Sequence, residues 1–262
     1  MTMLINPFLA STDADAEAWF AAMTTQPDAT RKGLLTALVT GLKADGVWAL
    51  LDGLFILAAH DAQAARVNGR KPTIVATTIG SPFFQANRGY TGGGTTGLNL
   101  GFSWATSGSV FTRDAAHISA WVNGAVDDPE NPNDTNNDTA VIGKLGTGLA
   151  ILPQSTDVQF RARVNMAASV EFAQSASRLG HFIASRTSSN TIRATRNGAF
   201  VGSSFANSET LTAGNYTLLQ TNGGNYSTDT VASATIGGPL SDAQATALHN
   251  RLNTYLTAVG GT

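Results

Sequence analysis

Short stretches that alternate apolar and polar side chains, separated by turn residues, constrain this chain more than any other feature. The clearest is 117–123, where Ile118, Ala120 and Val122 fall on one face and Ser119, Trp121 and Asn123 on the other. That is the period of a strand with a face in a core. Strand-like segments recur at 74–76, 98–102, 140–142, 158–164, 169–172, 181–184, 191–194, 200–201, 216–219 and 231–236. Between them stand turn signals: three glycines at 92–94, Asn197-Gly198, Gly214-Asn215 and the run 222–225. Asn197-Gly198 between two strand patterns marks a hairpin, because both residues tolerate positive φ. Many short strands with regular turns predict a mainly β protein, a two-sheet sandwich or jelly roll.

Both ends read as helical. Thr12 or Asp13 can cap a first helix carrying Trp19, Phe20 and Met23, and Gln26-Pro27-Asp28 breaks it. Asp28 then caps a second helix whose Leu34, Leu35, Leu38, Val39 and Leu42 form a wide apolar stripe, ended by Asp45-Gly46. A further short helix is expected from 47, residues 54–57 are too short a run to assign by periodicity, and 60–67 should add one or two turns. At the other end, Ser241-Asp242-Ala243-Gln244 fits a capping box. Leu248, Leu252, Tyr255, Leu256 and Val259 then make one face before Gly260-Gly261 stops the helix. The expected division is a helical region over 1–70, serving for attachment or as a cap on the sheet, and a jelly roll over 71–262 closed by helix 241–259.

Charged residues make up 13% of the chain, against about 25% in an average domain, and the formal net charge is -2. Such a surface offers no attraction for nucleic acid or an anionic membrane, so neither is an expected partner. The chain has no cysteine, which excludes disulfides and thiolate metal sites. No stretch approaches the roughly 20 apolar residues of a membrane span. Residues 1–10 carry no basic stretch and Pro7 interrupts their apolar run, so synthesis in the cytoplasm without a secretory signal is expected.

Five segments in order resemble the concanavalin A-like, laminin-G-type jelly roll. They are Gly89-Tyr90-Thr91-Gly92-Gly93-Gly94 before Leu98-Asn99-Leu100, Ile118-Ser119-Ala120-Trp121-Val122, Val141-Ile142-Gly143-Lys144, the hairpin 192–201, and Leu240-Ser241-Asp242-Ala243-Gln244. Together they cover about residues 75–256. The segments 41–48 and 55–60 are similar to a helical lead-in found on such domains in tailed-bacteriophage structural proteins. The resemblance implies a non-enzymatic virion component (decoration, spike, fibre or baseplate-associated), made in the host cytoplasm and forming a homo-oligomer. Its partners would be other capsid or tail proteins and host surface polysaccharide. The alternatives are a carbohydrate-binding module of a bacterial protein and a glycoside hydrolase or lyase on the same fold.

Laminarinase-type enzymes of that fold carry a Glu-x-Asp-x-x-Glu strand, and retaining hydrolysis needs two neighbouring carboxyls. Here Glu171 stands alone, followed by Phe172 and Ala173. The acidic run 127–138 is the one oxygen-rich stretch that suits a hard cation. Asp127, Asp128, Asp134, Asn136 and Asp138 are the expected Ca²⁺ ligands if an ion binds, and the alternative is a solvated turn. Thr139 stands where a calcium loop needs glycine, and Leu145 where it needs the closing glutamate. Gly92-x-Gly94-x-x-Gly97 leads into a strand and not a helix, so it holds no dinucleotide. His60, His117, His181 and His249 lack metal spacing, and structural roles are expected for all four. Glycan contact would use aromatics and amides, for which Tyr90, Trp104, Trp121, Asn225 and Tyr226 are the candidates; Trp121 qualifies only if the N-terminal helices leave its strand's outer face open.

Overall fold

The structure is a computed structural model, and it describes residues 12–105, 107–108, 110–125, 139–144, 148–155, 158–174, 177–211, 213–221 and 226–262. Two helices lead, α1 (Ala14–Ala21) and α2 (Ala29–Ala44). The strands up to the long central one are β1 (Leu51–Ile56), β2 (Thr77–Ile79), β3 (Phe83–Gln85), β4 (Gly89–Thr91), β5 (Gly97–Asn99) and β6 (Ala116–Gly124). Next come β7 (Ile142–Lys144), β8 (Leu149–Leu152), β9 (Gln159–Arg163), β10 (Val170–Gln174) and β11 (Gly180–Ser188). The chain closes with β12 (Thr191–Arg196), β13 (Ala199–Phe205), β14 (Thr217–Leu218), β15 (Thr230–Gly237) and α3 (Asp242–Val259).

The strands form two antiparallel sheets. One runs β13-β12-β11-β6-β15-β4-β3, with β1 added against β15; the other runs β10-β9-β8-β7-β14-β5-β2. The mainly β sandwich expected from the alternation is therefore present, with β6 at the centre of the larger sheet. Ile118, Ala120 and Val122 face the second sheet, where Phe160, Ile151 and Leu218 complete a buried core.

Helix ends follow their sequence signals. The Asp13 carboxylate accepts the amides of Asp15 and Ala16, Asp28 accepts that of Arg31, and Ser241 with Gln244 forms the reciprocal capping box. Gly260, at φ 74°, supplies the left-handed residue that ends α3.

Helix α3 lies on the outer face of the larger sheet, so β6 is buried on both sides. His249 of α3 stacks on Trp121 with centroids 5.0 Å apart, and His181 of β11 stacks on the same indole at 5.2 Å. Trp121 is 6% exposed, so no face remains for a sugar ring. The cover is the C-terminal helix; the N-terminal α2 lies against α3, joined by Arg251 to Asp45 and Arg31 to the Tyr255 hydroxyl.

Residues 51–56, expected within the helical region, are a strand of the larger sheet paired with β15, and all six are buried. A division near residue 70 thus runs through the sheet and core. Position 48–50 is a single 3-10 turn, as is 64–66. Among the described residues no helix is long and apolar enough to cross a membrane.

Candidate functional site

The described residues of two long connections meet at one end of the sandwich: those of 100–115, between β5 and β6, and those of 206–216, between β13 and β14. They enclose an open cleft of about 400 Å³ lined by Trp104, Phe111, Thr112, Arg113, Thr210 and Leu211. Phe111 is buried, Trp104 and Leu211 are half-buried, and the two threonines and Arg113 are exposed. The result is an apolar floor with hydroxyl and guanidinium groups at its edge, which is the composition of small-ligand sites in general.

Both walls are held by buried polar groups. Asp52 sits where the pairing of β1 with β15 slips between Leu51 and Gly53, and such a bulge re-aims a side chain. Its carboxylate, fully buried, accepts the amides of Val110 at 3.1 Å and Phe111 at 2.8 Å and pairs with Lys71 at 2.8 Å. Lys71 also donates to the Ser107 carbonyl, so one ion pair fixes both flanks of the Trp104 turn. Phe111 is further supported by Tyr216, whose ring lies 5.7 Å away.

Asn165 bolts the two walls together. Its side-chain amide donates to the carbonyls of Thr112 at 3.1 Å and Arg113 at 2.8 Å, and its own backbone carbonyl accepts the Glu209 amide at 2.7 Å. It does this at φ 59°, a conformation asparagine adopts more readily than most residues. The buried Arg186 guanidinium holds the second wall through the carbonyls of Val164 at 2.6 Å and Ala206 at 2.9 Å. Sequence reasoning picked out neither Asn165 nor Arg186.

Charge at the rim is balanced. Arg113 donates to Asp114 through Nε at 3.2 Å and Nη2 at 3.1 Å, and the Ser208 hydroxyl donates to the same carboxylate. Arg113, then Ser208, hold the Asp114 carboxyl below the usual carboxylate range, and the Arg186 charge adds in the same direction. Glu209 is engaged on the Ala167 amide at 3.0 Å.

The sequence candidates scatter. Trp104 is in the cleft. Tyr90 is 2% exposed, its hydroxyl donates to the Ala62 carbonyl at 2.9 Å and its ring packs on Phe84, so it cannot meet a sugar. Trp121 lies under α3. Tyr226 is half-buried beside Ser227, away from the cleft lining. Asn225, Asp127, Asp128, Asp134, Asn136 and Asp138 lie outside the described residues. Among the described residues no group of three or more acidic or histidine side chains could hold a metal ion. Glu171 pairs with Arg161 at 2.7 Å on the smaller sheet.

The fold and its end-on cleft define an antiparallel jelly-roll-like β-sandwich. No protein-family profile matches the sequence, and no curated protein does. Among solved structures the chain is similar to domain 4 of AbnA, an extracellular GH43 arabinanase from Geobacillus stearothermophilus solved with arabinotriose. The two share 16% identity over 76% of this chain and 98% of that one, with a TM-score of 0.50. It is similar to Trypanosoma rangeli sialidase at 13% identity and TM-score 0.53, covering 86% of this chain but 39% of the sialidase. It is also similar to the binding domain of Paraclostridial mosquitocidal protein 1, at 9% identity and TM-score 0.53, covering 78% of this chain and 52% of that one. At these identities the likeness is one of fold.

Proposed function

We propose that this chain is a non-catalytic sugar-contacting domain, with the cleft beside Trp104 as its binding surface. The observation that carries the reading is the half-buried Trp104, lining the cleft with Phe111 and Leu211 and rimmed by the hydroxyls of Thr112 and Thr210 and by the Arg113–Asp114 pair. Sugar rings present an apolar face and a hydroxyl edge, and this surface offers a counterpart to each. The solved complex of the arabinanase domain with arabinotriose lends support from a protein of similar fold. The non-catalytic part rests on the carboxylates near the cleft, since Asp114 and Glu209 are each engaged in structural bonds. A glycan-array screen of the full chain tests the reading, run with calcium, with chelator, and with W104A beside the native protein. Specific signals that fall about tenfold or more in W104A are expected, matching the roughly 1–2 kcal/mol of one aromatic face removed from water. Absence of signal, or signal unaffected by W104A, overturns it. Loss of signal in chelator alone would bring the 127–138 segment in as a calcium site.

The setting we propose is a bacteriophage particle surface, resting on the sequence resemblance of the N-terminal segments. One surface feature favours an additional assembly role. A bulge between β12 and β13 sets Phe200 opposite Thr195 while Phe205 stays opposite Thr191, so both phenyl rings share the outer face of this edge strand. They are 47% and 84% exposed. Sedimentation of the native chain and F205S with particles and alone checks the assembly role: native chain that neither multimerises nor co-sediments rules it out.

A further inference from the structure

Four charged groups stand at the cleft's rim or just behind it: Arg113, Arg186, Asp114 and Glu209. Arg113 meets Asp114 through two nitrogens at 3.2 and 3.1 Å, a fork-to-carboxylate match that occupies the guanidinium edge an acidic sugar would need. Arg186, buried behind the second wall, spends Nε on the Val164 carbonyl and Nη1 on the carbonyls of Ser188, Ser189 and Ala206, while its buried Nη2 has no hydrogen-bond partner among the described residues, and it feels the same Asp114 charge. Asp114 thus meets one guanidinium directly and feels the charge of a second without touching it. The Ser208 hydroxyl donates to its Oδ1 and anchors it to the opposite connection, so the carboxylate is fixed across the cleft's edge. Glu209, one residue from the lining Thr210, adds a further negative charge on that side.

We infer that Asp114 is the specificity-determining residue of the cleft, neutralising Arg113 and, together with Glu209, balancing the two guanidiniums so that the site takes neutral oligosaccharides and rejects uronic or sialic acids. This rests on the sugar-binding reading above. A carboxylated sugar entering the cleft must displace Asp114 from Arg113 or lie against it, and like charges brought together without a cation cost affinity. A neutral sugar uses the apolar floor and the Thr112 and Thr210 edge without that conflict. The open volume of about 400 Å³ suits a short segment of chain and not a single small anion.

The test is a titration of the full chain with matched trisaccharides that differ only in one hexose against the corresponding uronic acid. The native protein is expected to bind the neutral member at least tenfold more tightly. D114N keeps an oxygen for Ser208 but leaves the two guanidiniums in excess over Glu209, so the ratio should fall below about threefold at low salt and recover at high salt, where charge is screened. The double variant R113Q/D114N should lose most of that gain, and R113Q alone gives a readout if D114N does not fold. R113Q should then disfavour the acidic member further, because Asp114 keeps its charge and loses a partner. Native preference for the acidic member, or a ratio unmoved in D114N and R113Q, overturns the inference and leaves the sugar-binding reading standing. Failure of the native protein to bind either member anywhere on the panel overturns that reading, and this inference with it.

Discussion

Asn165 does more for the cleft than any residue that lines it. Two hydrogen bonds from its amide reach the Thr112–Arg113 wall, and its left-handed backbone turns the chain after β9 so that the Asn165 carbonyl meets Glu209. N165A removes both side-chain bonds and places an alanine at φ 59°, which together should cost about 2–4 kcal/mol of stability. N165G loses the bonds but not the backbone conformation, so it should be less destabilised than N165A by about 1 kcal/mol. Urea denaturation of the three proteins checks this; equal losses in N165A and N165G would mean that backbone conformation plays no part. The alternation around β9 gave no hint of this role, because a lone asparagine after a strand reads as any turn residue. Trp104 was legible as an aromatic in a loop. Phe111 and Leu211 were not, since their meeting depends on connections about a hundred residues apart being tied by Asn165 and Asp52.

Among the elements, α3 bears on stability through the rings beneath it. His181 is wholly buried against Trp121 and His249, and neither of its ring nitrogens has a hydrogen-bond partner among the described residues. Burial, then the neighbouring His249 and His117, push it well below the usual imidazole range; burial likewise lowers His249, and takes His117 down to about 4 against its bond to the Gly238 carbonyl. The unfolded chain binds protons on these rings near pH 6.5 while the folded chain does not, so stability rises with pH across that window. It should be full above about pH 6.5 and fall steadily towards pH 4, His117 alone contributing about 3 kcal/mol. Asp45 and Asp242, which tie α3 to α2 and β12, have lowered values and act only below the ordinary carboxylate range, so the two effects separate. Urea midpoints at pH 7, 5.5 and 4.5 measure the slope, and a flat profile would contradict the buried neutral stack. The three helices were legible because caps write their ends into the sequence. Strands β6, β9, β11, β12 and β15 were legible from alternation or β-branched runs. β1 and β8 were not: every residue of each is buried, which erases the period of two. β4 lies in a glycine-rich turn whose Gly89 passes so close to β15 that a Cβ would sit 2.0 Å from the Val231 carbonyl oxygen.

At the scale of the molecule, the helical ends and the sandwich share one core. β1 pairs with β15, α2 packs on α3, and Asp52 in β1 reaches into the cleft wall. A fragment of residues 71–262 would expose the β15 edge and strip Leu54, Phe55 and Ile56 from the core, so it should show no dispersed amide spectrum; a well-folded fragment would restore a division near residue 70. The same unity places three of the four tryptophans, Trp19, Trp48 and Trp121, in the interior at 1%, 5% and 6% exposure, and leaves Trp104 at the cleft. That distribution makes one experiment the most direct test of the sugar-binding claim: fluorine NMR of the full chain labelled with 5-fluorotryptophan, titrated with neutral arabino-, manno- and gluco-trisaccharides. The predicted result is a saturable shift of the Trp104 resonance, assigned with W104F, while the three interior resonances stay in place. A Trp104 resonance unmoved by every trisaccharide, or a shift confined to the interior indoles, would contradict it.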